Sequence, residues 1–382
     1  RRKFKGPAPN DHPLFKTGAR NLMMKIVFTG GGTAGHVTPN LALIEAFQRD
    51  GVECFYIGSK SGIESTLVEQ HNLNFYGIAS GKLRRYFSWQ NFIDPLKILF
   101  GFFQAVWILL WRRPDVLFSK GGFVAVPVVI AAGILRIPVV IHESDLTPGL
   151  ANRLSAPFCR VVCLNFEETA AHFSKRSSRV TGTPFRRGVL EADGVRGRQW
   201  LQGFKAFGDA QPILLVVGGS LGAQAVNRLV RQDLARLTER FQVVHVVGRG
   251  GVEPTLLAED YYLQFEYLDD AYGDVVAASD VVVSRAGANA LFEFLWFKKP
   301  QLLIPLPSAA SRGDQLENAA LFEQKGYAQV RQEQDLASGD LARAVDSVWA
   351  ARFDMIKQLG KAQLPDSLSL IRQAIEDAAR PR

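Results

Sequence analysis

Residues 26–40 read Ile-Val-Phe-Thr-Gly-Gly-Gly-Thr-Ala-Gly-His-Val-Thr-Pro-Asn: an apolar run, three consecutive glycines, then Thr33, Ala34, Gly35 and His36. Helix-compatible residues follow from Leu41 to Phe47. A strand that breaks into glycine and restarts as a helix leaves backbone N–H groups unpaired at the helix N-terminus, a ready seat for a phosphate. Gly30, Gly32 and Gly35 also satisfy the spacing G-x-G-x-x-G of dinucleotide-binding loops. That fingerprint further expects an acidic residue at the end of the second strand, to hold a ribose. Here the run Cys54-Phe-Tyr-Ile57 passes into Gly58-Ser59-Lys60 with no carboxylate. The loop suits a phosphate and argues against NAD.

Outward from this stretch, short apolar runs alternate with helical ones, which predicts a parallel sheet. Strands are expected at 25–29, 52–57, 74–78, 115–118, 138–142 and 160–164. The stretch Val180 to Gly188, punctuated by glycine and proline, reads as a linker. The rhythm restarts at Ile213–Val217, Gln242–Val247, Gln264–Tyr267, Val281–Ser284 and Leu302–Pro305, and ends in helices over 336–353 and 367–379. With 382 residues, the chain is expected to be α/β: two doubly wound, Rossmann-like domains facing a central cleft. Two more strands end in glycines, at Gly121-Gly122 and at Gly218-Gly219. Three such turns split across two domains predict two phosphate-bearing ligands facing each other.

Hydrophobic residues make up 47% of the chain and charged residues 21%, a balance that fits globular domains with ample cores. Of the net charge of +8, five units sit in residues 1–22, where Arg1, Arg2, Lys3, Lys5, Lys16 and Arg20 face only Asp11. The rest is nearly balanced, so no nucleic-acid partner is expected. Residues 1–22 lack the apolar core of a secretory signal and read as a disordered upstream leader, with the natural start at Met23 or Met24. Cys54, Cys159 and Cys163 form no C-x-x-C pair. Cys159 and Cys163, four apart in an expected strand, should face one way as core residues, in a reducing compartment such as the cytoplasm.

Asp94-Pro95 is a plausible helix start. The uncharged run that follows, Ile98 to Trp111, has 14 residues, short of the ~20 that a membrane-spanning helix needs. Phe100, Phe102, Phe103, Trp107 and Trp111 crowd all its sides, among Lys82, Arg84, Arg85, Lys97, Arg112 and Arg113. A buried core helix is the plain alternative. The mixture instead predicts a helix that lies on an anionic membrane surface without crossing it, through Arg84, Arg85, Phe102, Phe103 and Trp107.

Eight ordered motifs now carry a resemblance. GGTAGH (31–36), KGGFVAVP (120–127), PVVIHESD (138–145) and GTPFR (182–186) lie in the first half. GGSLGAQ (218–224), YLDD (267–270), SRAGANALFE (284–293) and GDQLENA (313–319) lie in the second. From Met24 on, the chain resembles the MurG family of peripheral-membrane transferases, which add N-acetylglucosamine (GlcNAc) to lipid I to give lipid II.

The resemblance implies a GT-B fold with an N-terminal acceptor- and membrane-binding domain over 23–182 and a UDP-sugar domain over 183–362. Residues 363–382 are implied to return to the first domain. It implies UDP-GlcNAc contacts from Arg186 and Ser220 at the diphosphate, from Leu268 at uracil, from the turn Ala288, Asn289, Ala290, Leu291 and Phe292, and from Glu293 at the ribose. Gln315, Asp145, Thr33, Ala34 and Gly35 are implied to meet the donor sugar. Gly31, Gly32, Gly121 and Gly122 would cradle the pyrophosphate of lipid I. Other cell-wall synthesis proteins are further implied partners, at the cytoplasmic face of the cell membrane.

An inverting transfer needs a base for the acceptor 4-hydroxyl, and His36 and Glu143 are the candidates, His36 preferred. The sequence holds no D-x-D, so no metal or other cofactor is expected, and helix N-termini with Arg186 would meet the leaving UDP. Two departures from the family pattern stand out. Ala34 replaces a usual glycine, and HESD replaces the common HEQN, which puts the carboxylate of Asp145 where an amide is usual. A diacylglycerol glycosyltransferase, a UDP-GlcNAc 2-epimerase and a non-catalytic nucleotide-sugar-binding scaffold are the rival readings.

Overall fold

The computed structural model describes residues 24–81, 90–204, 211–219, 222–308 and 311–380. Seven strands, β1 (Lys25–Thr29), β2 (Glu53–Ser59), β3 (Asn74–Ile78), β4 (Val116–Ser119), β5 (Val139–Glu143), β6 (Val161–Leu164) and β7 (Ser177–Val180), form one parallel sheet in the order β3-β2-β1-β4-β5-β6-β7. Helices α1 (Ala34–Arg49), α2 (Ile63–Glu69), α3 (Gln90–Arg112), α4 (Ala125–Ile134) and α5 (Leu150–Ser155) connect them. A second parallel sheet has the order β10-β9-β8-β11-β12-β13. Its strands are β8 (Ile213–Val217), β9 (Gln242–Val246), β10 (Tyr262–Phe265), β11 (Val281–Ser284), β12 (Gln301–Leu303) and β13 (Ala328–Val330). Around it lie α6 (Arg187–Leu190), α7 (Gly194–Gln202), α8 (Gln224–Gln232), α9 (Leu234–Thr238), α10 (Tyr272–Ala278), α11 (Ala288–Trp296), α12 (Asp314–Gln324) and α13 (Asp340–Leu359). The architecture is two Rossmann-like α/β sheets, as the sequence rhythm predicts.

Strand order explains where the site must be. Each sheet reverses its winding at a central pair, β1 with β4 in the first and β8 with β11 in the second. At such a switch point the loops after the two strands diverge and open a crevice. Gly30–Gly32 and Lys120–Gly122 are the loops after β1 and β4, and Gly218-Gly219 and Arg285–Gly287 those after β8 and β11. The central strands are covered on both faces, so Ile26, Val27 and Phe28, like Val281, Val282 and Val283, are wholly buried.

Two strands escape the sequence reading. Ser-Ser-Arg-Val (β7) and Ala-Gln-Val (β13) are edge strands whose residues, apart from the buried Ala328, are exposed or half-buried, so they carry no apolar run. β10 begins two residues before the expected position, after Tyr261 turns the chain at φ 57°. Cys159 and Cys163 do not face one way: Cys159 precedes β6 and packs on one side of the sheet, and Cys163 packs on the other.

The last helix, α14 (Ser367–Ala379), packs on the first sheet. Ile371, Ala374, Ile375 and Ala378 share a core with Phe28, Phe47 and Phe118. Polar ties reinforce it, from Arg179 to Asp377 at 3.1 Å and from Arg372 to Asp50.

Helix α3 is longer than expected, at 23 residues, and its segment Asp94–Arg112 is long and apolar enough to cross a membrane by length and composition. Ala105, Ile108 and Leu109 are nevertheless buried against the first sheet and Gly101 lies against Ala79. The aromatics do not crowd all sides. Leu96, Leu99, Phe100, Phe103, Trp107, Leu110 and Trp111 form one exposed stripe at helical spacing, and Phe102 is half-buried. Arg112 is not a free flanking charge, because its guanidinium pairs with Glu53 at 2.5 Å and lies over Phe55 and Tyr76. Arg84 and Arg85 lie outside the described residues.

Candidate functional site

The two sheets meet through their C-terminal loops. Asn289, in the first turn of α11, donates from Nδ2 to the Gly35 carbonyl at 2.8 Å and also lies 3.4 Å from the Thr183 hydroxyl. Asn318 on α12 accepts from the Leu146 N–H at 3.0 Å and donates to Asp145 at 3.1 Å. Thr147 donates to Glu317, and Lys325 pairs with Glu168 at 2.8 Å. Residues 33–36 and 143–147 of one half are thereby held against α11 and α12 of the other.

His36 sits in the first turn of α1, partly buried, with Nδ1 2.8 Å from the Thr33 hydroxyl. The tautomer that donates Nδ1–H to Thr33 leaves the Nε2 lone pair to accept a proton. Desolvation, with the cations of Lys120 and Arg312, pulls the imidazole down to about 4, so the ring is neutral at neutral pH.

The first glycine loop is not an open anion cradle. Glu64, wholly buried, accepts from the N–H groups of Ser59 (2.9 Å) and Gly32 (3.3 Å), and its carboxylate fills the space beside Gly31. A carboxylate thus stands at the Gly32 donor that the sequence reading offers to a pyrophosphate. The second loop lies directly against the first. Gly122, at φ 85°, approaches the Gly31 carbonyl so closely that a Cβ would overlap it, a constraint only glycine meets. Beneath Gly121, the buried Lys120 ammonium meets His142 Nδ1 at 2.8 Å and the Ser144 hydroxyl. Burial lowers this lysine to about 8, against the pull of Glu143 and Asp145.

Glu143 ends β5, buried, with both oxygens engaged. Oε1 accepts from the N–H groups of Ser144 (2.9 Å) and Asp145 (3.1 Å), and Oε2 from Gly149 N–H (3.0 Å) and Asn152 (2.9 Å). Burial and the neighbouring Asp145 raise its pKa. These bonds fold the 144–149 turn, so Glu143 shapes the loop that carries Asp145 across to the second sheet. Asp145 is not an uncompensated charge there: Arg312 pairs with it at 2.5 Å.

In the second half, Arg186 stacks over the Tyr272 ring at 5.7 Å, and Tyr272 donates to Glu293 at 2.7 Å. Burial raises Glu293, offset by Tyr272 and Arg186. The structure thus joins Arg186 and Glu293 through a tyrosine that the sequence does not single out. In the turn 288–292, Leu291 and Phe292 send their side chains into the core, and the Leu291 N–H bonds to the Gly287 carbonyl at 3.1 Å. The N–H groups left without a helical partner are those of Ala288, Asn289 and Ala290. Leu268 is buried, with its carbonyl bonded to the Ala271 N–H, and Gln315 accepts from the Leu306 N–H at 3.0 Å. Ala34 opens α1, and Ser220 lies outside the described residues.

Sequence reading misses Glu64, Lys120, Asn152, Tyr272, Arg312 and Asn318. Lys120, directly after the Val-Leu-Phe-Ser of β4, and Asn318, inside GDQLENA, carry local signals. Tyr272 and Arg312 carry none, since their roles arise from contacts distant in sequence.

Comparison with known proteins fits this geometry. Residues 26–164 match the glycosyltransferase family 28 N-terminal domain and residues 213–368 its C-terminal domain. A UDP-N-acetylglucosamine–N-acetylmuramyl-(pentapeptide) pyrophosphoryl-undecaprenol N-acetylglucosamine transferase of Clostridium botulinum (strain Langeland) is 46% identical over 93% of this chain and 99% of its own. The protein of the same name from Lachnospira eligens is 47% identical over 94% of this chain and 100% of its own. The crystal structure of Acinetobacter baumannii MurG superposes with a TM-score of 0.72, covering 93% of this chain and 99% of that one at 24% identity. The chain belongs to glycosyltransferase family 28, among the UDP-N-acetylglucosamine–N-acetylmuramyl-(pentapeptide) pyrophosphoryl-undecaprenol N-acetylglucosamine transferases.

Proposed function

We propose that this chain moves GlcNAc from UDP-GlcNAc to the 4-hydroxyl of the N-acetylmuramyl group of lipid I, with inversion, on the cytoplasmic face of a membrane. The observation that carries the chemistry is His36: a neutral imidazole whose Nε2 has no hydrogen-bond partner among the described residues, placed beside the seam where Gly35 meets Asn289. Nε2 takes the acceptor proton as O4 attacks the anomeric carbon, while the bond from that carbon to UDP breaks and its electron pair leaves on the phosphate oxygen. Arg186 and the open N–H groups of Ala288, Asn289 and Ala290 meet the charge growing on UDP. Glu293, oriented by Tyr272, takes the ribose hydroxyls. Glu143 is a positioning residue, since four donors already occupy its oxygens.

The acceptor diphosphate is assigned to the second glycine loop, Gly121-Gly122, with the buried Lys120 cation beneath it. The exposed stripe of α3 rests in the membrane interface, where Phe103 and Trp107 bury against lipid. A soluble donor and a membrane-held acceptor then meet in one cleft.

The test is transfer of labelled GlcNAc in the presence of EDTA, with a short-chain lipid I analogue and diacylglycerol offered together. Label on the lipid I analogue alone is expected. Label on diacylglycerol would move the assignment to a lipid glycosyltransferase, and donor binding without any transfer would move it to a scaffold.

A further inference from the structure

Asp145 reaches the second half through Asn318 and Arg312, and a lone carboxylate there would serve a UDP-sugar poorly. It cannot donate to a sugar oxygen, and it would repel a nucleoside diphosphate. Arg312 restores both properties. Its Nη2 lies 2.5 Å from Asp145 Oδ2, and its Nε lies 3.4 Å from Asp314. Its Nη1 has no hydrogen-bond partner among the described residues and lies against Gly149, where a Cβ would stand 2.7 Å away. The pair is neither sealed nor splayed into solvent: the two side chains are 29% and 22% exposed. Asn318 fixes Asp145 from the other oxygen at 3.1 Å. The Arg312 charge is also among those that lower the His36 pKa.

We propose that Arg312 is a specificity-determining residue of the donor site, reading the sugar of a UDP-sugar jointly with Asp145. Arg312 Nη1 donates to a sugar oxygen, while Asp145 accepts from a sugar hydroxyl through its remaining lone pairs. The carboxylate and guanidinium divide between them the two functions of one amide. The Arg312 cation, which Asp145 shares with Asp314, offsets part of the repulsion that the carboxylates would exert on the diphosphate. This inference rests on UDP-GlcNAc being the donor.

Binding of UDP and of UDP-GlcNAc, measured by calorimetry on the full chain, separates sugar recognition from nucleotide recognition. Arg312→Gln should weaken UDP-GlcNAc about tenfold or more, because a charge-assisted hydrogen bond is lost, and leave UDP within about twofold of wild type. Gly149→Ala keeps the charge but displaces Nη1, and should lower UDP-GlcNAc affinity in the same selective way even if Arg312→Gln folds poorly. Adding Asp145→Asn to Arg312→Gln should cost little more than the single change, since the two act as one unit. Unchanged UDP-GlcNAc affinity in Arg312→Gln and Gly149→Ala, or equal losses for UDP and UDP-GlcNAc, would overturn the proposal. Wild-type protein that binds UDP but gains nothing from the sugar would instead overturn the donor assignment itself.

Discussion

His36 and Glu143 look equivalent as bases in one dimension and differ sharply in three. The imidazole has Nδ1 tied to Thr33 and Nε2 without a hydrogen-bond partner among the described residues. The carboxylate has four donors on two oxygens. Hydrogen-bond saturation is a tertiary property, so the sequence names both and its preference for His36 rests on other grounds. His36→Ala should lower kcat by about 10²–10⁴ while leaving the UDP-GlcNAc dissociation constant within about threefold. Glu143→Gln should act on folding, because an amide nitrogen replaces an oxygen that accepts two bonds. A loss of about 1–3 kcal/mol in denaturant titration is expected. Since desolvation and nearby cations hold His36 near 4, the acid limb of kcat/KM should fall well below the ordinary histidine range. A limb at 6.5 would mean that another group, or a solvated His36, takes the proton.

Elements with an apolar signature were legible, and those without one were not. β1, β8 and β11 are buried on both faces and announce themselves as unbroken runs, whereas β7 and β13 at the sheet edges are too polar and too short. Helix α3 shows the reverse case: its composition is plain in sequence, but which face turns inward is not. The structure leaves Phe103 and Trp107 59% and 67% exposed on the outer stripe. Burying one aromatic in an apolar phase is worth about 1.5–3 kcal/mol, so Phe103→Ser and Trp107→Ser should each weaken binding to anionic vesicles about tenfold or more. Their melting temperatures should stay near wild type. A matching fall in melting temperature would mean that these rings pack inside an assembly of the protein.

At the scale of the whole molecule, a helix from the end of the chain closes one face of the first sheet. Ile371, on the inner face of α14, is fully buried, so Ile371→Ala should cost about 2–5 kcal/mol, read as a shift in the unfolding of the first domain. The histidine cores predict acid sensitivity. Burial holds His142 well below its ordinary value and His245 at about 3, each neutral and hydrogen-bonded. The unfolded chain takes up protons near 6.5, and the folded chain resists them. Stability is therefore full above about pH 6.5 and is lost as the pH falls from there toward the folded values. Melting temperatures should decline steadily between pH 7 and 4, and His245→Gln should make that decline shallower.

The proposed chemistry is sugar transfer across the seam between the two sheets, with His36 as the proposed base. Single-turnover transfer of labelled GlcNAc from UDP-GlcNAc to a lipid I analogue, in wild type and in His36→Ala with donor prebound, tests it most directly. The account predicts rapid transfer by the wild type, and a variant that holds the donor yet transfers at least about a hundredfold more slowly. Wild-type transfer rates in His36→Ala would contradict it.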